Sequence, residues 1–391
     1  MTIYRDALPS EHDDIVDLIN YAFGMQAQQA LAKAYGDGEV LESRHKVAVD
    51  ETTGRIKASV AVYPQTVHVG DMTLHAMFLG CVCVHPRFRG EGHMGRLIRM
   101  WHDELRVEGD VDMMVLWGLR HRYAHFGYAP CGYGYTYEIN RSCVKHALAD
   151  PAEPRGLAGR DPARLSFRPF FTRDGDAELA VRLNDARLVH AERPLPLVGR
   201  IDSYLNSEAV AVDRDGETIG YLVRAVGDPS VVREIALADP ADAGAVSARY
   251  LESLEPRGRS SFTVKVTPTD AALNERFSGF SETATVGTVC RCLVFDYARL
   301  LACWLPVAAR LWRLEPGRLS LVLGGQPVTV EVGGDGSVHV ERSADPDAPA
   351  LSDADAQDLI MGLGARYRRD LPSAPAGWFP LPVDWYWPDL N

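Results

Sequence analysis

The densest chemistry in the chain lies in fourteen consecutive residues, Val82-Cys83-Val84-His85-Pro86-Arg87-Phe88-Arg89-Gly90-Glu91-Gly92-His93-Met94-Gly95. They join a strand pattern to an amphipathic helix pattern. Glycines in such a loop let backbone N–H groups converge, and the helix N-terminus adds partial positive charge, so the segment suits a phosphate or pyrophosphate. Arg87 and Arg89 fit the same anionic guest. A plain strand-to-helix turn with solvated arginines is the simpler alternative. Gly90-x-Gly92-x-x-Gly95, with Asp110 and Asp112 downstream, also spells a dinucleotide fingerprint and so an oxidoreductase. In a dinucleotide fold, however, the glycines directly follow the first strand of a parallel sheet. Here residues 85–89 intervene and the preceding strands are hairpin-linked. Cys81-x-Cys83-x-His85 offers three metal-ligand types, yet it lacks CxxC or helical spacing and a second ligand pair, so no metal is expected.

The elements that must position this loop follow from periodicity. Residues 2–7 read as a strand. Residues 10–23 read as a helix capped by Ser10, with Ile15, Leu18, Ile19 and Ala22 on one face; a second helix follows at 26–35. Strands at 45–50, 55–63 with 66–69, and 72–84 are separated by tight turns, which makes this part of the sheet antiparallel. The helix at 93–107 buries Leu97, Ile98, Trp101 and Leu105. A strand at 111–117, a short helix at 120–126 and a Tyr-rich strand at 132–139 complete the region. Residues 149–164, dense in Pro, Gly, Ala and Asp, read as a linker.

A second αβ region echoes this order, with a helix near 175–190, a hairpin 209–212 to 218–226, a strand at 231–237, a helix at 244–254 and strands near 262–266 and 284–295. An apolar helix at 297–314 follows, then strands at 319–323, 328–332 and 338–341, and a helix from Asp353 with Ser352 and Asp355 as its capping pair. The last twenty residues, rich in Pro and Trp, are expected to run irregularly over another surface.

The chain has 391 residues, 41 Lys+Arg against 53 Asp+Glu, a net charge of −12 and 46% apolar residues. That length predicts two or three domains with ample core. The acidic balance excludes duplex-coating nucleic-acid binders and anionic-membrane binders, which need a Lys/Arg excess. The start, MTIYRDALPSEHDD, shows no signal-peptide pattern, and residues 297–314, broken by Arg and Pro, are no membrane span. Seven cysteines without a CxxC pair suit the reduced thiols of a cytoplasm.

Strand, Pro, Arg and then Arg89-x-x-Gly92 before a helix resembles the acetyl-CoA-binding segment of the GNAT acetyltransferases, Arg/Gln-x-x-Gly-x-Gly/Ala. Met94 departs from the last position, and the phase Arg87-x-x-Gly90-x-Gly92 matches fully. Tyr123-Ala124-His125-Phe126-Gly127-Tyr128 is similar to a second GNAT segment, Tyr-x-x-Leu/Phe-Gly-Phe. A bulky residue at the Met94 position, the chain length and the layout resemble the enhanced-intracellular-survival (Eis-like) branch.

That resemblance implies an α+β chain: two GNAT-like α/β units with mixed, largely antiparallel sheets, then a sterol-carrier-protein-like domain. The implied partition is 1–150 (catalytic), 151–290 (second, degenerate) and 291–391. The implied co-substrate is acetyl-CoA, without a metal. Val82, Cys83 and Val84 pair with the pantetheine arm, while Arg89, Gly90, Glu91, Gly92, His93, Met94 and Gly95 hold the pyrophosphate. Tyr123 is the implied general acid, since phenol and thiol pKa values lie close together. No carboxylate stands on residues 76–84, so the implied base is the terminal carboxylate of Asn391, delivered by the aromatic tail. Implied acceptors are amines of the aminoglycoside, polyamine or lysine type, and the implied assembly is a homo-oligomer, a hexamer. A non-catalytic CoA- or lipid-binding interaction protein is the alternative class. In the second unit, Ala238-Asp239-Pro240-Ala241-Asp242-Ala243-Gly244 carries two acids, no arginine and one glycine, which predicts that no pyrophosphate binds there.

Overall fold

The structure, a computed structural model, describes every residue except 39, 119, 149–159, 289 and 391. Asn391 and most of the expected linker therefore lie outside the described residues.

β1 (Thr2–Asp6) leads through a 3-10 turn, Pro9–Glu11, into α1 (His12–Phe23). Pro9 fixes φ and starts this turn early, so Ser10 lies inside it rather than capping the helix. The Glu11 carboxylate meets the Leu8 N–H and Arg5 instead. α1 buries Ile15, Val16, Leu18 and Ile19. The single helix expected at 26–35 is two short ones, α2 (Ala27–Ala30) and α3 (Ala32–Tyr35), parted at Leu31. β2 (Arg44–Asp50), β3 (Ile56–Val69) and β4 (Met72–Val84) make a meander, with β3 continuous through Pro64. α4 (His93–Glu108) buries the four apolar residues its periodicity marks. β5 (Met113–Leu116), α5 (Arg120–Tyr123), a 3-10 turn and β6 (Ala129–Cys131) follow.

Beyond β6 come β7 (Gly134–Asn140), α6 (Arg141–Leu148), β8 (Leu165–Pro169), α7 (Asp176–Asp185), β9 (Val189–Ala191) and α8 (Val198–Asp202). The hairpin of β10 (Ser207–Arg214) and β11 (Glu217–Ala225) leads to β12 (Val231–Leu237), α9 (Ala243–Leu254), β13 (Ser261–Val266), α10 (Ala271–Phe280) and β14 (Thr283–Gly287). Last are β15 (Cys290–Val294), α11 (Tyr297–Leu311), β16 (Gly317–Leu323), β17 (Gln326–Val332), β18 (Val338–Glu341), β19 (Ala350–Leu351) and α12 (Asp353–Met361), whose N-terminus Ser352 caps.

These elements form two compact units, Met1–Gly132 with Val289–Val383 and Leu390–Asn391, and Tyr133–Thr288 with Asp384–Asp389. The main sheet of the first unit runs β1-β2-β3-β4-β5-β15-β6, and only β4–β5 is parallel among these described pairs. The sheet of the second unit runs β14-β7-β13-β12-β11-β10-β8, with β12–β13 its parallel pair. The strand expected at 284–295 is thus two strands in different sheets. β15 inserts between β5 and β6, while β7 lies between β14 and β13. Strand pairing therefore divides the chain differently from the 1–150, 151–290 and 291–391 partition.

A four-stranded sheet, β18-β17-β16-β19, also belongs to the first unit. α11 buries Tyr297, Leu300, Leu301, Trp304, Leu305 and Val307, so its apolar face is packed core. The C-terminal elements pack on the first sheet: Arg299 donates to the Thr73 carbonyl at 2.6 Å, and Gln357 accepts the Val294 N–H at 3.0 Å. No helix among the described residues is long and apolar enough to cross a membrane.

Candidate cofactor cleft and active site

The cleft begins where two parallel strands part. β4 and β5 pair only from Ala76↔Met113 to Phe78↔Val115, while β4 continues to Val84. Three residues past the parting, Cys81 has φ +46°. The β3–β4 register slips at the same level, Ala61 facing Gly80 and Ser59 facing Cys83, so the bulge puts an extra residue on β4. A β-carbon residue in this left-handed region costs about 1–3 kcal/mol and persists only where surroundings hold it.

Beyond β4, His85 takes the Lys57 carbonyl, stacks on Tyr21 at 5.3 Å and accepts the Arg87 N–H at 3.3 Å. The 3-10 turn Pro86–Phe88 then delivers Gly90 (φ +87°) and Gly92 (φ +79°) to the α4 N-terminus. A Cβ on either glycine would meet nothing within 4 Å. Conformation, not crowding, requires glycine here, and the space in front of the backbone is free for a ligand. α4 has no acidic residue in its first turn and no side-chain cap, which leaves its positive end open to an anion. Gly92→Ala puts a side chain into a left-handed position on this cradle. We expect it to weaken binding of CoA, the ligand that the sequence resemblance implies, by roughly tenfold; a CoA titration checks this, and an unchanged affinity would remove Gly92 from the cradle.

A cleft of about 610 Å³ is lined by Ala22, Phe23, Val82, Cys83, Val84, Phe88, Arg89, Gly90, Gly92, His93, Met94 and Arg122. Eight of the ten residues that the resemblance assigns to the cofactor line it. Arg87 lines a separate groove with Asp14 and Asp17, so the phase that reaches the cleft is Arg89-x-x-Gly92. Glu91 and Gly95 are outside the lining. Glu91 accepts from His93 Nε2 at 3.1 Å, and Tyr4 donates to His93 Nδ1 at 2.8 Å, so this trio braces the loop from behind. Gly95 lets α4 approach Phe126: a Cβ there would stand 3.4 Å from the ring. Phe88 and Arg122 had no signal in the sequence beyond their neighbourhood to the motifs.

Cys81, Cys83 and His85 serve different partners. Cys83 Sγ meets the Ser59 carbonyl at 3.6 Å, Cys81 lies against Tyr35 and Tyr63, and His85 stacks on Tyr21. Asp112, which a dinucleotide fold would aim at a ribose, accepts the His75 N–H at 2.7 Å.

Tyr123 is 9% exposed and does not line the cleft, although its neighbour Arg122 does. Its ring meets Tyr128 edge-on at 6.2 Å, and Gly118 makes room for it, since a Cβ there would be 2.8 Å from Cε2. Among the described residues its hydroxyl has no hydrogen-bond partner. Burial raises the Tyr123 pKa, opposed by Arg122, so the phenol is protonated at neutral pH. Tyr128 is structural, bonded to His102 at 3.1 Å and Met114 at 3.4 Å. Asn391 lies outside the described residues, but the carbonyl of Leu390 accepts from Lys33 Nζ, with both residues 1% exposed. Lys33 escaped the sequence reading, for nothing marks one lysine of a short helix as buried.

In the second unit, β12 and β13 likewise pair briefly, at Val231↔Thr263 and Val232↔Val264, and then part. The loop after β12 is closed by its own acids. Asp239 accepts the Ala241 N–H at 2.9 Å and pairs with Arg160, and buried Asp242 pairs with Arg160 and Arg214. Residues 384–389 occupy this unit as well. Lys265 holds Asp384 and the Trp385 carbonyl, Thr267 donates to the Tyr386 hydroxyl at 3.0 Å, and Arg187 lies 3.8 Å over the Tyr386 ring. Arg193 grips Asp389 through two bonds of 2.8 and 2.9 Å.

Residues 3–131 match the family model described as an acetyltransferase (GNAT) domain. No curated protein matches the sequence. Among the solved structures that share the fold across nearly the whole chain are the following three. A conserved protein of unknown function from Enterococcus faecalis V583 has TM-score 0.63 and 14% identity, over 91% of this chain and 89% of that one. The GCN5-related N-acetyltransferase of Kribbella flavida has TM-score 0.59 and 16% identity, over 92% and 88%. Eis1 of Mycobacterium abscessus has TM-score 0.59 and 14% identity, over 93% and 90%. The family match therefore identifies residues 3–131 as an acetyltransferase domain of the GNAT class. Residues 3–131 belong to the GNAT family, and the chain as a whole has the Eis-like fold.

Proposed function

We propose that the protein transfers the acetyl group of acetyl-CoA directly to a primary amine, of the aminoglycoside, polyamine or lysine type. The observation that carries this reading is the β4–β5 parting, which leads to an uncapped α4 N-terminus flanked by Arg89 and two left-handed glycines. The unpaired end of β4 offers backbone groups to the pantetheine arm, and the cradle offers N–H groups to the pyrophosphate. In the reaction the amine nitrogen bonds to the thioester carbon, the C–S bond breaks, and sulfur takes the Tyr123 proton. The nitrogen's surplus proton passes to the terminal carboxylate of Asn391. The second unit binds no CoA in this reading, since Asp239 and Asp242 already take the Ala241 N–H and the guanidinium groups of Arg160 and Arg214 that an anion would need.

Thiol release from acetyl-CoA with a panel of primary amines tests the proposal, alongside a CoA titration. The expected result is amine-dependent release with one CoA bound per chain. CoA binding without release for any amine would favour the binding-protein alternative, and two CoA per chain would contradict the degenerate second unit.

A further inference from the structure

We propose that the hydroxyls of Tyr35 and Tyr63 are positioning groups for acetyl transfer, acting by gripping the Cys81 side chain and so holding the β4 bulge against the reacting thioester. This rests on the acetyl-transfer reading and adds residues that lie outside the cleft lining. Cys81 is a non-glycine residue at φ +46°, in the stretch where β4 has left β5 and just before Val82 enters the cleft. Nothing in a cysteine favours the left-handed region, so its surroundings must supply the hold.

The surroundings are a buried polar node on the α1–α3 face of the sheet. Tyr35 and Tyr63, each 3% exposed, share a hydroxyl–hydroxyl bond of 2.5 Å, and their rings meet edge-on at 6.4 Å. The Cys81 side chain lies beside both hydroxyls. Tyr35 also bonds His45 Nε2 at 3.2 Å, and His45 Nδ1 bonds Ser59 Oγ at 3.1 Å. Ser59 is the residue of β3 at which the register slips. The network therefore ties both sides of the bulge: Cys81 on β4 through the tyrosines, and Ser59 on β3 through His45. A bulge that relaxed would turn the following N–H groups away from the thioester carbonyl, and a displacement of about an ångström in such donors is costly to turnover.

The test is steady-state kinetics of the full chain with acetyl-CoA and an accepting amine. Tyr35→Phe with Tyr63→Phe should lower kcat on the order of 10-fold to 100-fold, with KM for acetyl-CoA changed by less than about twofold. The same two changes made in the Cys81→Gly background should cost less than about twofold relative to Cys81→Gly alone, because glycine adopts this φ without help. An equal loss in both backgrounds would mean that the hydroxyls act by another route, and no loss in the first would mean that they only fill core; either overturns the inference. CoA titration shows whether each variant keeps its fold, and if the double variant does not, Tyr35→Phe and Tyr63→Phe singly carry the comparison. A wild-type chain that transfers no acetyl group would sink both the reading and the inference, an outcome distinct from active variants without a kcat loss.

Discussion

Tyr123→Phe is expected to lower kcat on the order of 10²-fold to 10⁴-fold while the KM for acetyl-CoA moves by less than about threefold. The substitution removes one oxygen and leaves the ring against Tyr128 and Gly118. No hydrogen-bond partner among the described residues is orphaned, so thermal stability should barely change. Burial keeps the hydroxyl protonated at neutral pH, which is the form a general acid must have when a thiolate departs. A structural tyrosine would show the opposite profile, with a lower Tm and a preserved kcat. Full kcat in the Phe variant would end the assignment of Tyr123 as the acid.

The second large effect is on stability and depends on pH. Arg193, fully buried, spends its five N–H groups on Asp389, Glu234 and the Tyr221 hydroxyl. Asp202, also buried, stands 3.5 Å from the guanidinium, and among the described residues neither of its carboxyl oxygens has a hydrogen-bond partner. Burial is the main reason that its pKa is pushed up to about 8; Arg193 opposes this, and the negative neighbours Glu234 and Asp389 add to it. Burial also acts on Glu234, but the attraction of Arg193 and Arg187 outweighs it and holds Glu234 at about 2.

The signs follow from which state binds the proton. Between about pH 4 and 8 the folded chain keeps the Asp202 proton that the unfolded chain releases, so this contribution is full below pH 4 and lost as pH rises through 8. Glu234 does the reverse: its contribution is present above about pH 4.5 and is lost as pH falls toward 2. Asp202→Asn, neutral at every pH, should therefore flatten the decline of Tm between pH 5 and 9 and make the variant the more stable form at pH 9, by up to about 5 kcal/mol. Parallel Tm curves for the two proteins would show that Asp202 does not hold its proton on folding.

Much of the first sheet was legible because its signals are local. The turns at 52–54 and 70–71 fix the meander, and Leu97, Ile98, Trp101 and Leu105 recur at helical spacing, so one face of α4 must be buried. Residues 82–95 were legible as a glycine-bearing turn from strand to helix for the same reason, glycines and arginines being close in sequence. What was not legible depends on contacts between distant residues. Nothing at 284–295 says that the chain changes sheet at 288, because both halves read as strand. Periodicity cannot place Cys81 in the left-handed region, since the cause lies in Tyr35 and Tyr63, far away in sequence. The bond between Tyr4 and His93 was not legible either, because the two residues lie 89 positions apart.

The position of β15 between β5 and β6 also governs the order of events on the ribosome. When residues 1–132 have emerged, β5 and β6 are present but the strand that must lie between them is not yet made. The sheet that carries the cleft can close only after residue 294 has been synthesised. Until then the edge of β5 is open and the nascent chain exposes a strand-pairing surface, a hazard for any slowly translated or truncated form. A fragment cut at residue 150 would keep every residue of the cofactor cradle and lose the strand that closes the sheet behind it.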